Sequence, residues 1–467
     1  MATRTAKAIR RAASTLTKEA GEISSVFPSL SGKEAIPLPP RFSDLKKWLI
    51  RGNEDAVKAS WQRLLSSLRQ EIGEIQTENN VVVPSIGYEK VALGQVRPDD
   101  IAAIKHRGLA IVRNVVSTQD ALDLKAEAQQ CIKANRPKVQ AFPADDPAVY
   151  ELYWTPSQAK ARSHPHMLRT QSFLSRLWHS SDPASEFSTT YPVTYADRFR
   201  VRKPGDAKFA LGPHTDGGSV ERWEDPEYSR VYSKILQGKW EEYDPFDARH
   251  RIAATMDMYN GGGACSMFRL FQGWLAMSST GPGEGTLKFC PLLKHATAYL
   301  ILRPFFDINT GDFNLDNSFP NSALGAAQEY DADTHPHLEL DKTMINVPKV
   351  EPGDYVAWHC DTIHSVDKEH QGITDSSVSY IPACAVTRGN FEFLKKQRLA
   401  ALRYSPPPDF PGAGGDGELG FIGAMDWNAL SREGKQAMGL GNVPWEITPD
   451  MTEGERRVLQ DANRALF

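Results

Sequence analysis

The chain is poor in cysteine and has no long apolar run, and each scarcity removes whole classes of function. The five cysteines, at 131, 265, 290, 360 and 384, are odd in number, widely spaced and never arranged as CxxC. They fit free thiols in a reducing compartment better than a disulfide framework or a structural zinc site. The most apolar stretch, ATAYLILRPFF (296–306), falls short of the roughly 18 residues a membrane span needs. No membrane partner is expected, and the stretch is read as a buried strand. Basic excess is missing too: 54 Lys and Arg face 58 Asp and Glu, a formal net charge of −4. A nucleic-acid binder ordinarily carries strong positive charge, so that class is disfavoured. Internal repeats, sustained heptads and Gly/Ser linkers are also absent. What is present is 467 residues, 40% hydrophobic and 24% charged, enough for an ample globular core.

The first 18 residues, MATRTAKAIRRAASTLTK, hold five basic residues and no acid. That composition resembles a mitochondrial transit peptide, but the preferred reading of residues 1–25 is a basic segment with little fixed structure. The expected compartment is the cytoplasm, with the mitochondrion as the alternative. Residues 26–410 are expected to form a single domain whose β core spans about 190–390, followed by a loop and helical extension over 411–467.

Periodicity supports an α+β chain. In RFSDLKKWLIRGNEDAVKASWQRLLSSLRQEIGEI, Leu45, Trp48, Leu49, Val57, Trp61, Leu64, Leu65 and Leu68 recur at three- and four-residue spacing, as in amphipathic helices. RPDDIAAIKHRG (97–108) opens with a helix-entry signal and closes on Gly108. LAIVRNVV (109–116) then reads as a strand, and Ser117 caps a long helix. From about 190 the texture becomes short β-rich runs punctuated by Gly and Pro, the pattern of an all-β sandwich or barrel. Two inserts interrupt it, 221–251, expected to be helical, and the polar loop 307–342; both are expected at the mouth of a pocket. Helices are expected again just past 390 and at the carboxyl end.

The chemistry gathers around LGPHTDGG (211–218). On a strand, residues i and i+2 share a face, so His214 and Asp216 can hold one metal from one side. Gly217 and Gly218 then let the chain turn away. A third ligand is available in EPGDYVAWHCDTIHSVD (351–367), which carries both His359 and His364. Two histidines and a carboxylate with open positions suit non-haem Fe(II). Zinc competes for such ligands, but no HExxH supplies the general base a zinc hydrolase would need. Other candidate ligands are His359-Cys360-Asp361, His337-Leu338-Glu339 in the polar insert, and His164 and His166, which could line a substrate entrance.

The turn, strand and histidine pair of EPGDYVAWHCDTIH resemble the distal half of the phytanoyl-CoA-hydroxylase-like Fe(II)/2-oxoglutarate oxygenases, as does QGWLAMSSTGPGEGTLKFCP between the two halves. More closely, residues 25–410 resemble the family called domain of unknown function 1479, through LPPRFSDLKKWLI, GPHTDGGSVERWEDPEY, CSMFRLFQGWLAMSSTGPGEGTL, AYLILRPFF and SSVSYIPA. The resemblance implies a double-stranded β-helix (jelly-roll) core with helical amino- and carboxyl-terminal flanks. It implies iron held by His214, Asp216 and His364, with His359 not a ligand, and it implies no substrate.

Oxygenases of this kind hold the distal carboxylate of 2-oxoglutarate with an Arg or Lys on the strand after the distal histidine. Here that stretch, TDSSV (374–378), has no basic residue, and Arg388 comes too late. The candidates are therefore the hydroxyls of Ser376 or Ser377, or an arginine on a neighbouring strand: Arg198, Arg269 or Arg303. Arg269, between Phe268 and Leu270, has the better claim, because a charge in an apolar strand requires a partner; a salt bridge to a protein acid is the rival reading. Trp223, Phe271 and Trp274 are candidate pocket walls, and Arg222 is a candidate anchor for an acidic substrate or a partner for Glu224 or Asp225. The implied activity is a dioxygenase that uses Fe(II), 2-oxoglutarate and O2 to oxidise, by default hydroxylate, a small polar molecule. The alternatives are a jelly-roll metal-dependent oxygenase that does not use 2-oxoglutarate, a non-catalytic ligand-binding relative, and a zinc hydrolase.

Overall fold

The computed structural model describes residues 26–30, 36–208, 210–410, 412–413 and 415–467. The basic segment 1–25 therefore lies outside the described residues. Among the described residues there are fifteen strands: β1 Ser85–Gly87, β2 Leu109–Arg113, β3 Ala141–Phe142, β4 Val149–Tyr150, β5 Phe187–Val193, β6 Phe199–Arg202, β7 His214–Thr215 and β8 Arg269–Ala276, then β9 Leu287–Phe289, β10 Gln328–Glu329, β11 Ile345–Asn346, β12 Tyr355–His359, β13 His364–Val366, β14 Ser376–Tyr380 and β15 Ala383–Thr387.

They form two sheets. The larger runs β1-β2-β12-β8-β14-β6-β4-β3, with β15 joining β8 and β5. The smaller runs β10-β7-β13-β9-β11. Their inner faces meet: Trp358 of β12 lies 5.4 Å from Phe289 of β9 and 5.2 Å from His364 of β13, ring centre to ring centre. Alternation along β6 shows how the sequence selects this layer. Phe199 and Val201 enter one apolar cluster, while Arg200, between them, lines the cavity between the sheets.

Helices cover the sheets. Glu54–Glu78 buries Val57, Trp61, Leu64, Leu65, Leu68, Ile72 and Ile75 at helical spacing, and Trp61 stacks on Tyr299 and Phe306, with ring centres 5.3 and 4.7 Å away. The helices Pro98–Arg107, closed by a left-handed Gly108, and Thr118–Ala134, capped by Ser117, form where their start and stop signals place them. The helices Arg388–Arg403 and Glu453–Leu466 pack onto β15 and β5. Among the described residues no helix is long and apolar enough to cross a membrane.

One expectation changes. The apolar stretch 296–306 is not a strand: Leu293–Leu302 is a helix, continued by a 3-10 turn over Arg303–Phe305. Nearly all its residues are buried, so the helix shows no polar face and its periodicity cannot reveal its type. The insert 221–251 is helical, as expected, with three short helices, Glu221–Glu224, Pro226–Val231 and Ser233–Leu236, and a 3-10 turn.

Candidate metal centre and its cavity

Strand pairing brings the two distant motifs together. β13 runs antiparallel to β7 with His364 directly opposite His214, and the two rings lie 4.2 Å apart. After Thr215, Gly217 and Gly218 take positive φ values of 90° and 85°, a conformation that favours glycine. A Cβ on Gly218 would also collide with the Met256 carbonyl oxygen at 2.5 Å. The turn is braced from behind by buried Arg222, which donates to the carbonyl oxygens of Gly218 and Asp216 and to Thr215 Oγ1. Glu224 is paired instead with Arg41, at 2.7 Å.

The three side chains fit one cation. His214 Nδ1 donates to the Gly212 carbonyl (2.7 Å) and His364 Nδ1 to the Thr362 carbonyl (3.1 Å). Because a carbonyl only accepts, each Nδ1 carries the proton and each Nε2 lone pair is left for a ligand bond. Those Nε2 atoms lie 3.9 and 3.5 Å from the two Asp216 oxygens. Two donors sharing an ion at about 2.1 Å cannot be more than about 4.2 Å apart, so these spacings allow it. Burial, with His364 beside it, lowers the His214 pKa to about 4, which keeps the imidazole neutral. Burial pushes the Asp216 carboxyl upward, but its neighbours His364, His214 and Arg269 outweigh it and hold the group well below the usual carboxylate range.

A relay missed in the sequence orients that carboxylate. Gln272 Nε2 on β8 donates to Asp216 Oδ2 at 2.5 Å, and Gln272 Oε1 accepts from Trp358 Nε1 at 3.1 Å. The available signal was a lone amide in the otherwise apolar run of β8. On the open side, Phe27 meets the His214 ring edge-on at 4.8 Å.

His359, Cys360 and Asp361 also form a compact group, but their donors are committed. His359 Nε2 donates to the Pro245 carbonyl (3.0 Å), its Nδ1 accepts from the Asp361 amide (3.1 Å), and its ring stacks on Trp178. Asp361 is ion-paired with buried Arg251 at 2.5 Å. His337 contacts the Tyr299 hydroxyl while Glu339 pairs with Lys342. His166 donates to the Val115 carbonyl beside Tyr88. None of these lines the cavity around the triad.

That cavity measures about 300 Å³. Arg198, Arg200, Arg269, Trp274 and Tyr380 line it, as do Glu151 and Asp409. Among the residues expected to hold 2-oxoglutarate, Arg198 and Arg269 reach the cavity; Ser377 does not, and its hydroxyl donates to Asp375 at 2.9 Å. Ser376 accepts from Arg200 at 3.3 Å. Arg303 bonds backbone carbonyls at Thr334 and Phe306, away from the cavity. Trp223 and Phe271 are core residues. Neither 221–251 nor 307–342 contributes to the lining, so the mouth is not where the sequence placed it; residues 262–265 and 409–410 line the cavity instead.

Fold and site together define an α+β protein with a two-histidine, one-carboxylate cluster set between two sheets. The chain belongs to the Gig2-like family, whose model matches residues 36–440. It is 33% identical over 381 residues, 79% of this chain and 88% of the relative, to the uncharacterized protein YbiU of Escherichia coli K12. The crystal structure of GlcNAc Inducible Gene 2, GIG2 (DUF1479), from Candida albicans superposes with a TM-score of 0.84 at 32% identity, over 93% of this chain and 96% of that one. A Salmonella typhimurium LT2 protein, named provisionally as an oxidoreductase, gives 0.77 at 31% identity over 87% and 99%.

Proposed function

We propose that this protein is a non-haem Fe(II)/2-oxoglutarate-dependent dioxygenase that oxidises a small polar molecule. The observation that carries the reading is the convergence of His214 Nε2, His364 Nε2 and the Asp216 carboxylate on one point, with both imidazole tautomers fixed by backbone carbonyls. Such a set leaves open positions on one side of an iron ion. Sheet order lends further support. Strands β6, β7, β8 and β9, then β11, β12, β13 and β14, distribute as β6-β14-β8-β12 against β7-β13-β9-β11, the arrangement of a double-stranded β-helix. The provisional naming of the Salmonella relative as an oxidoreductase agrees with it.

His214, Asp216 and His364 would hold the iron, and Gln272 would keep the Asp216 carboxylate turned toward it. We assign the distal carboxylate of 2-oxoglutarate to Arg200. Its strand neighbour is Val378 of β14, within the stretch that lacks a basic residue, so the guanidinium reaches that region from the adjacent strand. Arg200 is 2% exposed and lines the cavity. The signal was present in DRFRVRK: arginines at 198, 200 and 202 share one face of a strand. Arg202 is committed to Asp206, and Arg198 to Asp197. Leu211, Leu287, Val366 and Trp274 would exclude water from the co-substrate. When bound, iron and 2-oxoglutarate supply the oxidising power, with O2 consumed, succinate and CO2 released and a substrate C–H hydroxylated.

Anaerobic titration of Fe(II)-loaded protein with 2-oxoglutarate is expected to raise a visible metal-to-ligand charge-transfer band. Arg200→Gln should weaken 2-oxoglutarate binding by tenfold or more, and aerobic turnover should release succinate only with both iron and 2-oxoglutarate present. Iron binding without any 2-oxoglutarate-dependent band or succinate would refute the assignment and favour an oxygenase that uses O2 without this co-substrate.

A further inference from the structure

The cavity holds more charge than an iron and 2-oxoglutarate would employ. β8 gives the layout. Gln272 touches Asp216; Ala276, at one end of the strand, is level with Arg200 through Val378; Arg269 lies at the other end. At about 3.3 Å per residue, the backbones of Arg200 and Arg269 sit roughly 23 Å apart along the strand direction, with Gln272 and the Asp216 it touches between them. Backbones so placed bring the two arginines into the cavity from opposite ends of β8, so one of them is left for a second ligand.

Arg269 is an unusual cation. It is enclosed in the cavity wall, yet among the described residues it has no carboxylate within ion-pair distance, and its hydrogen bond is to the neutral hydroxyl of Tyr195 at 3.4 Å. Tyr195 supplies no charge, and burial drives its own pKa up. A third cavity arginine, Arg198, is taken by Asp197 at 3.3 Å and lies over Phe410. Arg269 is half-buried, and a guanidinium held in a cavity wall with no carboxylate at ion-pair distance is costly, while its planar fork matches a carboxylate in bidentate fashion.

Resting on the dioxygenase reading above, we infer that Arg269 is the substrate anchor and that the substrate carries a carboxylate, which Arg269 grips on the side of the triad opposite Arg200. The cavity itself limits the anion's charge through its own carboxylates. Glu151 lines it and makes no side-chain hydrogen bond among the described residues, and Asp409, which accepts from the amide and hydroxyl of Ser266, lines it as well. These carboxylates disfavour a doubly charged phosphate. Glu151 is instead an acceptor for an N–H or O–H on the same molecule. Sharing about 300 Å³ with the co-substrate, the substrate is small.

The test uses the full chain loaded with Mn(II) and saturated with 2-oxoglutarate. L-lactate, L-alanine and 3-phenylpropionate are each titrated against their primary amides, with binding read from the fluorescence of the cavity tryptophans and by calorimetry. At least one acid is expected to bind tenfold or more tightly than its amide. Arg269→Gln should erase that preference while changing 2-oxoglutarate affinity by less than threefold, and Arg269→Lys should retain part of it. No acid preferring its carboxylate form, or an Arg269→Gln protein that keeps the preference, overturns the proposal. So does an Arg269→Gln protein that loses 2-oxoglutarate while Arg200→Gln keeps it. Should 2-oxoglutarate fail to bind wild-type protein, the dioxygenase reading falls, and the acid-against-amide comparison still decides the role of Arg269.

Discussion

Substituting Gln272 by leucine separates the metal ligands from the group that aims them. The replacement keeps volume and apolar packing but removes the donor 2.5 Å from Asp216 Oδ2 and the acceptor 3.1 Å from Trp358 Nε1. Losing a group that orients a ligand ordinarily weakens metal affinity by about 10–100-fold, equal to about 1.4–2.7 kcal/mol. The Trp358 indole N–H, in a residue only 4% exposed, would be left without its acceptor, which costs about 1–3 kcal/mol of stability. Trp358→Phe should lower metal affinity less, because it removes the far end of the relay and leaves Gln272 on Asp216. Calorimetric titration of the metal-free variants with Mn(II), together with thermal unfolding of the same samples, reads both effects. A Gln272→Leu protein that binds Mn(II) within threefold of wild type would show that Asp216 is held by its strand alone and refute the relay.

His364→Ala is expected to abolish stoichiometric metal binding, whereas His359→Gln should retain one metal per chain with lowered stability; the reverse pattern in metal analysis would transfer the site to the second cluster. Stability of the metal-free protein should fall as pH drops from about 6.5 toward 4. Burial lowers the pKa values of His214 and His295 to about 4 and of His335 and His359 to about 3, so unfolding takes up their protons in that window. Glu221 and Glu418, raised to about 7 by burial, act in the opposite sense. The lowered histidines outnumber the raised glutamates, so unfolding takes up protons on balance in that window; a flat unfolding midpoint between pH 7 and 5 would contradict it. Trp61→Ala, which removes a ring stacked between Tyr299 and Phe306, should destabilise by about 3–5 kcal/mol in denaturant unfolding; a loss under 1 kcal/mol would mean that the helix Glu54–Glu78 is not part of the cooperative core.

Local patterns are what the sequence could settle. Apolar residues at three- and four-residue spacing specified Glu54–Glu78, a serine cap began Thr118–Ala134, and a His-x-Asp followed by two glycines marked one half of the candidate site, since all these depend on neighbours in the chain. Burial on all sides hid the helical nature of Leu293–Leu302, because an element without a polar face has no readable period. The opposition of His364 to His214, the reach of Arg200 toward β14, the Gln272 brace and the lack, among the described residues, of a carboxylate at ion-pair distance from Arg269 were decided by the tertiary structure. Each depends on strand order and register, set by how whole sheets bury their faces against each other, and no short stretch of sequence encodes that.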